Sequence, residues 1–337
     1  MSKINYNFGG ILMNLAYKMN SEIKNENKIS GKDIIYEQIK LGKKIILVNT
    51  ESAKFNDIKD VRVVQVDKNK EIINPLQIYS TIKDFDIFSF GTHLKKIQRM
   101  YCILVSEYTE EELTSLDILL TKFYEYFGID IKKCTKYKEN EYPILSDFLN
   151  YLKYIEGTHR MINCMQSPNK EKVFEVFKEL NSIKDILNIR INVIDTIISK
   201  LNKIIDNYGY LLNIHSNINH VHNNKFIAFN KLNLVDDEKI LGVLLLNILT
   251  FINENYLFGE KNAEYLIVFD NSNEIFSFIK TSIGDIITSY VGEILNTADP
   301  NFISFLFIKT KMSAFFNFKN KFSLIRTQNI EDFLEQS

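Results

Sequence analysis

The sequence predicts an α/β fold: a mostly parallel sheet flanked by helices, with a large all-α insertion. Three observations carry this. KKIILVN at residues 43–49 and YLIVF at Tyr265–Phe269 are short runs of mostly apolar residues, the texture of strands buried on both faces. Between them, from about Thr81 to Asp206, apolar residues recur at helical spacing. No Asn-Gly or Asp-Gly pair marks a hairpin between strand candidates, so helices must connect them. The chain of 337 residues is long enough for about two domains. The pattern divides it into a first part of the core at 1–80, a helical insertion at 81–206 and a second part of the core at 207–337.

The elements follow in order. Residues 11–23 (ILMNLAYKMNSEI) read as a helix ended by the polar NENK turn. Residues 31–41 predict a short helix stopped by Gly42, followed by the strand at 43–49 and a second strand at 61–66 (VRVVQV). In residues 93–108, apolar side chains at 94, 97, 100, 101, 104 and 105 form one helical face. Thr109 with Glu112 three residues on is a capping box, and Gly128 ends the helix that it opens. Pro143 starts another helix at a position where its missing N–H costs nothing, and Ser167-Pro168 starts a further one. Residues 190–206 are amphipathic. Phe226 to Phe229 is a short strand, residues 239–257 are a long buried helix, and 322–326 are a last strand candidate.

Composition excludes several classes. With 12 Gly and 4 Pro the chain is neither collagen-like nor a linker. A net charge of -1 gives no global field to recruit nucleic acid or anionic membrane. Cys102, Cys134 and Cys164 are widely spaced and odd in number, which fits a reducing cytoplasm better than a disulfide framework. The longest apolar run, 240–252, falls short of the roughly 20 residues needed to span a bilayer. Arg62, Arg99, Arg160, Arg190 and Arg326 are the only arginines, a shortage of the usual phosphate clamp.

Three constellations bear on chemistry. Asp270 ends the run YLIVF, where an open α/β sheet binds ligands. It is a magnesium ligand there or, alternatively, a turn or helix cap. The nearest approach to a phosphate loop, G-x-x-x-x-G-K-[ST], is Ser30-Gly31-Lys32-Asp33. Glu26 stands where the leading Gly belongs, and Asp33 stands at the hydroxyl position, where it repels phosphate. Lys32 is therefore a phosphate ligand or a solvated helix start. Phe8-Gly9-Gly10 lacks a Lys. His215, His220 and His222 offer a transition-metal set or hydrogen-bonded turn histidines, with no Cys or Glu nearby to complete a site. The basic clusters near Lys43 and Lys132 read as solvated surface.

In colinear order, several stretches resemble the conjugal-transfer ATPases of type IV secretion systems, the TraC/TraE type within the HerA/FtsK class of P-loop NTPases. ILVNTESAKFNDI (46–58) is similar to that family's strand and acidic turn, and IINPLQI (72–78) to the start of its helical insertion. LTSLDILLTKFYEYFGI and YPILSDFLNYL resemble two of its helices, and YGYLLNIHSNINHVHNNKFIAFNKL the segment before its long helix. YLIVFDN occupies the magnesium strand, and LIRTQNIEDFLEQS resembles the segment that carries a polar sensor.

The resemblance implies a RecA-like core that uses ATP and magnesium. Asp270 would hold the metal, Gln328 would sense the γ-phosphate, and Glu51 would join Gly31 and Lys32 at the cofactor. The departures imply a degenerate member, a pseudoenzyme. The phosphate loop is missing, and Asn271 stands where the catalytic Glu is expected. Loss of a general base typically costs about 10²–10⁴-fold. The family's N-terminal domain and its arginine finger are also expected to be lacking. The function implied is a hydrolysis-deficient, ATPase-like component of a conjugative DNA-transfer or type IV secretion apparatus encoded on a mobile genetic element. Its partners would be other apparatus subunits, in a homo-oligomer or a hetero-oligomer with an active ATPase. It would be cytoplasmic, reaching the inner face of the membrane through partners, and direct nucleic-acid binding is not expected. The alternative is an active, divergent ATP-hydrolysing motor subunit with an atypical phosphate loop.

Overall fold

The computed structural model describes residues 31–50, 58, 61–66, 71–79, 86–164, 186–218, 224–230, 237–257, 263–269, 282–297 and 303–307. In chain order its elements are α1 (Gly31–Lys40), β1 (Lys44–Thr50), β2 (Val61–Val64), α2 (Asp86–Leu104), α3 (Glu110–Phe127), α4 (Leu145–Cys164), α5 (Ile191–Leu212), β3 (Phe226–Asn230), α6 (Glu238–Ile252), β4 (Tyr265–Phe269), α7 (Ser282–Thr297) and β5 (Ile303–Phe307). The chain divides into two compact units. One comprises residues 1–65, 221–232 and 260–337; the other comprises 66–220 and 233–259.

The first unit is built on a five-stranded sheet in the order β2-β3-β1-β4-β5. Every neighbouring pair is parallel, as expected when no hairpin turn is available. Alternation along the strands splits their side chains between two faces. Ile45, Leu47, Phe226, Ala228, Leu266 and Val268 cluster on one face with Ile35 of α1, and Ile39 packs against them. Ile46, Val48, Ile227, Phe229, Ile267 and Phe269 alternate with these and are buried too. Burial on both faces is why these strands show no polar alternation in the sequence. Gly42, at φ 85°, makes the turn from α1 into β1 in the left-handed region that a glycine enters freely. The helix at 11–23, the helix at Ser167-Pro168 and the strand at 322–326 lie outside the described residues. α7 and β5 were not anticipated, although ISFLF is a short apolar run like YLIVF.

The second unit is helical. α4 packs along α5, α3 against α2, α4 and α5, and α2 against α6. Residues 66–80, 207–220 and 233–259 belong to it as well as the span 81–206 drawn from the sequence. Hydrogen bonds explain part of this, because they tie the start of the helical region to its end. The Ile72 amide donates to Asn217 Oδ1 at 2.6 Å, and the Asn217 amide donates back to the Ile72 carbonyl at 3.2 Å. The Asn74 amide donates to Ser216 Oγ at 2.8 Å, while Asn74 Nδ2 donates to the Pro143 carbonyl. Ser216 and Asn217, beside His215, thus clamp distant segments together.

Helix boundaries follow local chemistry. Thr109 Oγ1 accepts from the Glu112 amide at 3.1 Å, and Gly128 at φ 92° closes α3. The reciprocal half of the expected capping box is absent from the hydrogen bonds around Glu112. Its carboxylate instead accepts from Tyr101 Oη at 2.9 Å and Lys200 Nζ at 2.5 Å. α2 begins at Asp86 and ends at Leu104, shifted from the expected 93–108. α4 begins at Leu145, with Asp147 Oδ2 accepting from the Ile144 amide, so Pro143 stands before the first turn. α6 runs into a π-helical turn, Asn253–Leu257.

Candidate functional site

Ligands of open parallel sheets lie beyond the carboxyl ends of the strands, where the strand order changes side. Here β3 and β4 flank β1, so the chain passes from one side of β1 to the other between them. Val48 lies opposite both Phe229 and Phe269, so the three strands end nearly level. Against β3 the register shifts between Val48 and Thr50, which pairs with Asn230. Such irregularities re-aim the chain at the rim of a sheet.

α1 contributes to the same edge. Only Leu41–Lys43 separate α1 from β1. The helix therefore runs back along the strand, with its first turn, Gly31 and Lys32, directed towards the end where the strands terminate. A helix N-terminus carries free amides and partial positive charge, a setting that suits an anion. The fit to a nucleotide is partial, because Asp33 follows Lys32 in that same first turn. Of the other residues singled out in the sequence, Glu51 follows Thr50, Asp270 follows Phe269, and both lie outside the described residues with Gln328, His220 and His222. His215 is half-buried. Among the described residues no group of His, Cys, Asp and Glu is arranged to hold a metal ion.

The strongest electrostatic perturbations are found within the helical unit. Lys96 is buried, donating to the Gln77 carbonyl at 3.2 Å and lying 5.6 Å above the Tyr79 ring. Burial lowers its pKa to about 8, against the upward pull of Glu254. Burial raises Glu254 to about 8, opposed by the Lys96 ammonium and the nearby Tyr79 amide, which is not at hydrogen-bond geometry. Tyr124 Oη gives its proton to the Leu76 carbonyl at 2.6 Å. It must therefore accept from His93 Nε2 at 2.7 Å, which assigns the proton of a neutral imidazole to Nε2. Burial, and then Lys96, holds His93 well below its usual pKa.

The sequence reading missed this group, although a signal existed. His93 and Lys96 fall on the apolar stripe of α2 with Ile97 and Met100, and Glu254 lies in the π-turn that continues the apolar α6. A groove of about 330 Å³ on the same unit is lined by Lys200, Lys203, Tyr208 and Lys239. Two of these ammoniums are engaged, Lys200 by Glu112 and Lys239 by Ser106 Oγ at 2.8 Å.

No protein-family profile matches the chain, and no curated protein matches it. Among solved structures, the fold is similar to that of VirB4 of Thermoanaerobacter pseudethanolicus. The TM-score is 0.57 at 12% sequence identity, over 81% of this chain and 90% of that one. Among the described residues no helix is long and apolar enough to cross a membrane. The chain thus has an α/β, RecA-like fold similar to that of VirB4.

Proposed function

We propose that this protein is an ATPase-like, hydrolysis-deficient component of a conjugative or type IV secretion apparatus, acting through protein–protein contacts. The observation that carries the reading is the likeness in fold to VirB4 along most of both chains. It agrees with the colinear sequence resemblance from ILVNTESAKFNDI to LIRTQNIEDFLEQS. Hydrolysis deficiency rests on the sequence. Asn271 follows Asp270, and an amide cannot take a proton from attacking water. No G-x-x-x-x-G-K-[ST] stands in the chain, so Gly31 and Lys32 are the remaining candidates for a phosphate, with Glu51, Asp270 and Gln328 around the nucleotide and magnesium. In this reading the partners are other apparatus subunits, among them an active ATPase of the same fold, and membrane association runs through them.

The second reading is an active, divergent ATPase. It is favoured by one feature, the direction of α1, whose first turn points towards the strand-end edge of the sheet. Magnesium-ATP binding and turnover by the full chain, beside Asp270→Ala, separate the two. The proposal expects no turnover above background in either protein. Turnover in the parent that Asp270→Ala abolishes replaces it with the active motor.

A further inference from the structure

We propose that the groove between α5 and the loop joining α2 to α3 binds a small phosphomonoester, a compound with an apolar body and one phosphate group. The inference rests neither on the secretion reading nor on ATP binding at the sheet edge.

The groove has a volume of about 330 Å³ and lies wholly within the helical unit. One wall is a face of α5, where Lys200, Lys203, Ile204 and Asn207 are spaced i, i+3, i+4 and i+7. The other is the loop 104–107, and Lys239 of α6 completes the lining. Leu104, Val105 and Ile204 are buried and supply its apolar part. The volume is at the lower end of the range for small-molecule sites, about 300–1,000 Å³, which sets the size of the occupant.

Two of the three ammoniums are fixed in place by the loop. Lys200 Nζ donates to the Glu107 carbonyl at 2.6 Å and to Glu112 Oε2 at 2.5 Å. Lys239 Nζ donates to the Leu104 carbonyl at 3.2 Å and to Ser106 Oγ at 2.8 Å. An ammonium has three N–H groups, so each of these keeps one for a ligand. Surface lysines ordinarily lose rotamer freedom on binding, and these two have lost it already on folding. Lys203 is exposed and adds a third positive charge from the same face of α5.

The charges around the groove select the ligand. Among the described residues that line it, Glu107 is the single acid against three lysines. Two further acids touch lining residues, and each already has donors. Glu112 accepts from Tyr101 as well as Lys200. Asp237 accepts from Tyr208 Oη at 2.5 Å and from the Lys239 amide at 2.8 Å, at the positive end of α6. A phosphate monoester brings up to two negative charges and three acceptor oxygens to these lysines, where a carboxylate brings one charge and two oxygens. The buried apolar side chains then take the ligand's body.

The test is a ligand-observed NMR titration of phenyl phosphate with the full chain at about pH 8, where the phosphate is a dianion. Phenyl phosphate should bind roughly tenfold more tightly than benzoate, which has the same ring and half the charge. Inorganic phosphate, without the apolar body, should bind more weakly than phenyl phosphate. Lys203→Gln and Lys239→Gln should each weaken phenyl phosphate about tenfold, the loss of one charge-assisted hydrogen bond. Lys239→Gln also loosens the loop, so Lys203→Gln, at an exposed position, decides where the two disagree. Lys32→Gln, in the first turn of α1, should leave the affinity unchanged. Absence of binding overturns the proposal, as does binding that Lys203→Gln leaves unaltered or that Lys32→Gln removes. Benzoate binding as tightly as phenyl phosphate makes the groove a carboxylate site, and inorganic phosphate binding as tightly makes it a bare anion site. Either result overturns it too.

Discussion

Replacing Glu254 by Gln should change how stability depends on pH, because Glu254 is a carboxyl group buried inside the helical unit without a full set of donors. Its pKa rises from an ordinary 4.5 to about 8 on folding, chiefly through burial. Between those values the folded chain keeps a proton on Glu254 that the unfolded chain releases. Folding then takes up one proton, and stability falls as pH rises, by about 1.4 kcal/mol per unit. Between pH 5.5 and pH 7 this amounts to roughly 2 kcal/mol. The charged group facing it is Lys96, lowered to about 8, so it stays largely protonated in both states below pH 7 and adds little slope there. Tyr79 also faces it, and burial raises that phenol further from this range. Glu254→Gln removes the titrating group while keeping its shape. Urea unfolding of parent and variant, followed by circular dichroism at pH 5.5, 6.25 and 7, measures the difference in stability. That difference should move about 2 kcal/mol in favour of the variant across the series. A difference that stays flat, or moves towards the parent, refutes the reasoning.

Tyr124→Phe should cost about 1–3 kcal/mol, since it leaves His93 Nε2–H and the Leu76 carbonyl without the hydroxyl that joins them in a buried site; thermal unfolding measures it. Lys200→Met should cost about 2 kcal/mol because the Glu112 carboxylate, 8% exposed, keeps only Tyr101 as a side-chain partner. Arg190→Ala breaks an ion pair with Glu111 whose arginine is 66% exposed, and should cost less than about 1 kcal/mol in the same assay.

The candidate site was legible only as far as local pattern reaches. A strand running up to Asp270 and a Gly31-Lys32 pair opening a helix can be read from adjacent residues, and α1 does begin at Gly31. Nothing local says that β1 stands between β3 and β4, because those neighbours are about 180 residues or more away along the chain. Asp270, Glu51 and Gln328 lie outside the described residues, so their roles rest on the resemblance.

By itself the sequence determined the local events: four of the five strands among the described residues, the Thr109 cap, the stops at Gly42 and Gly128, and the burial of 240–252. Each depends on residues within one or two turns, through hydrogen bonds, φ limits or a run of apolar side chains. Tertiary structure alone decided where long polar side chains end. Glu112 was expected to complete a capping box. Its carboxylate is instead drawn to Tyr101 and Lys200, because a buried carboxylate is stabilised most by a charged donor from another helix. Lys96 and Glu254, ordinary in the sequence, become strongly perturbed groups of the helical unit because α2 packs against α6 and takes both out of water.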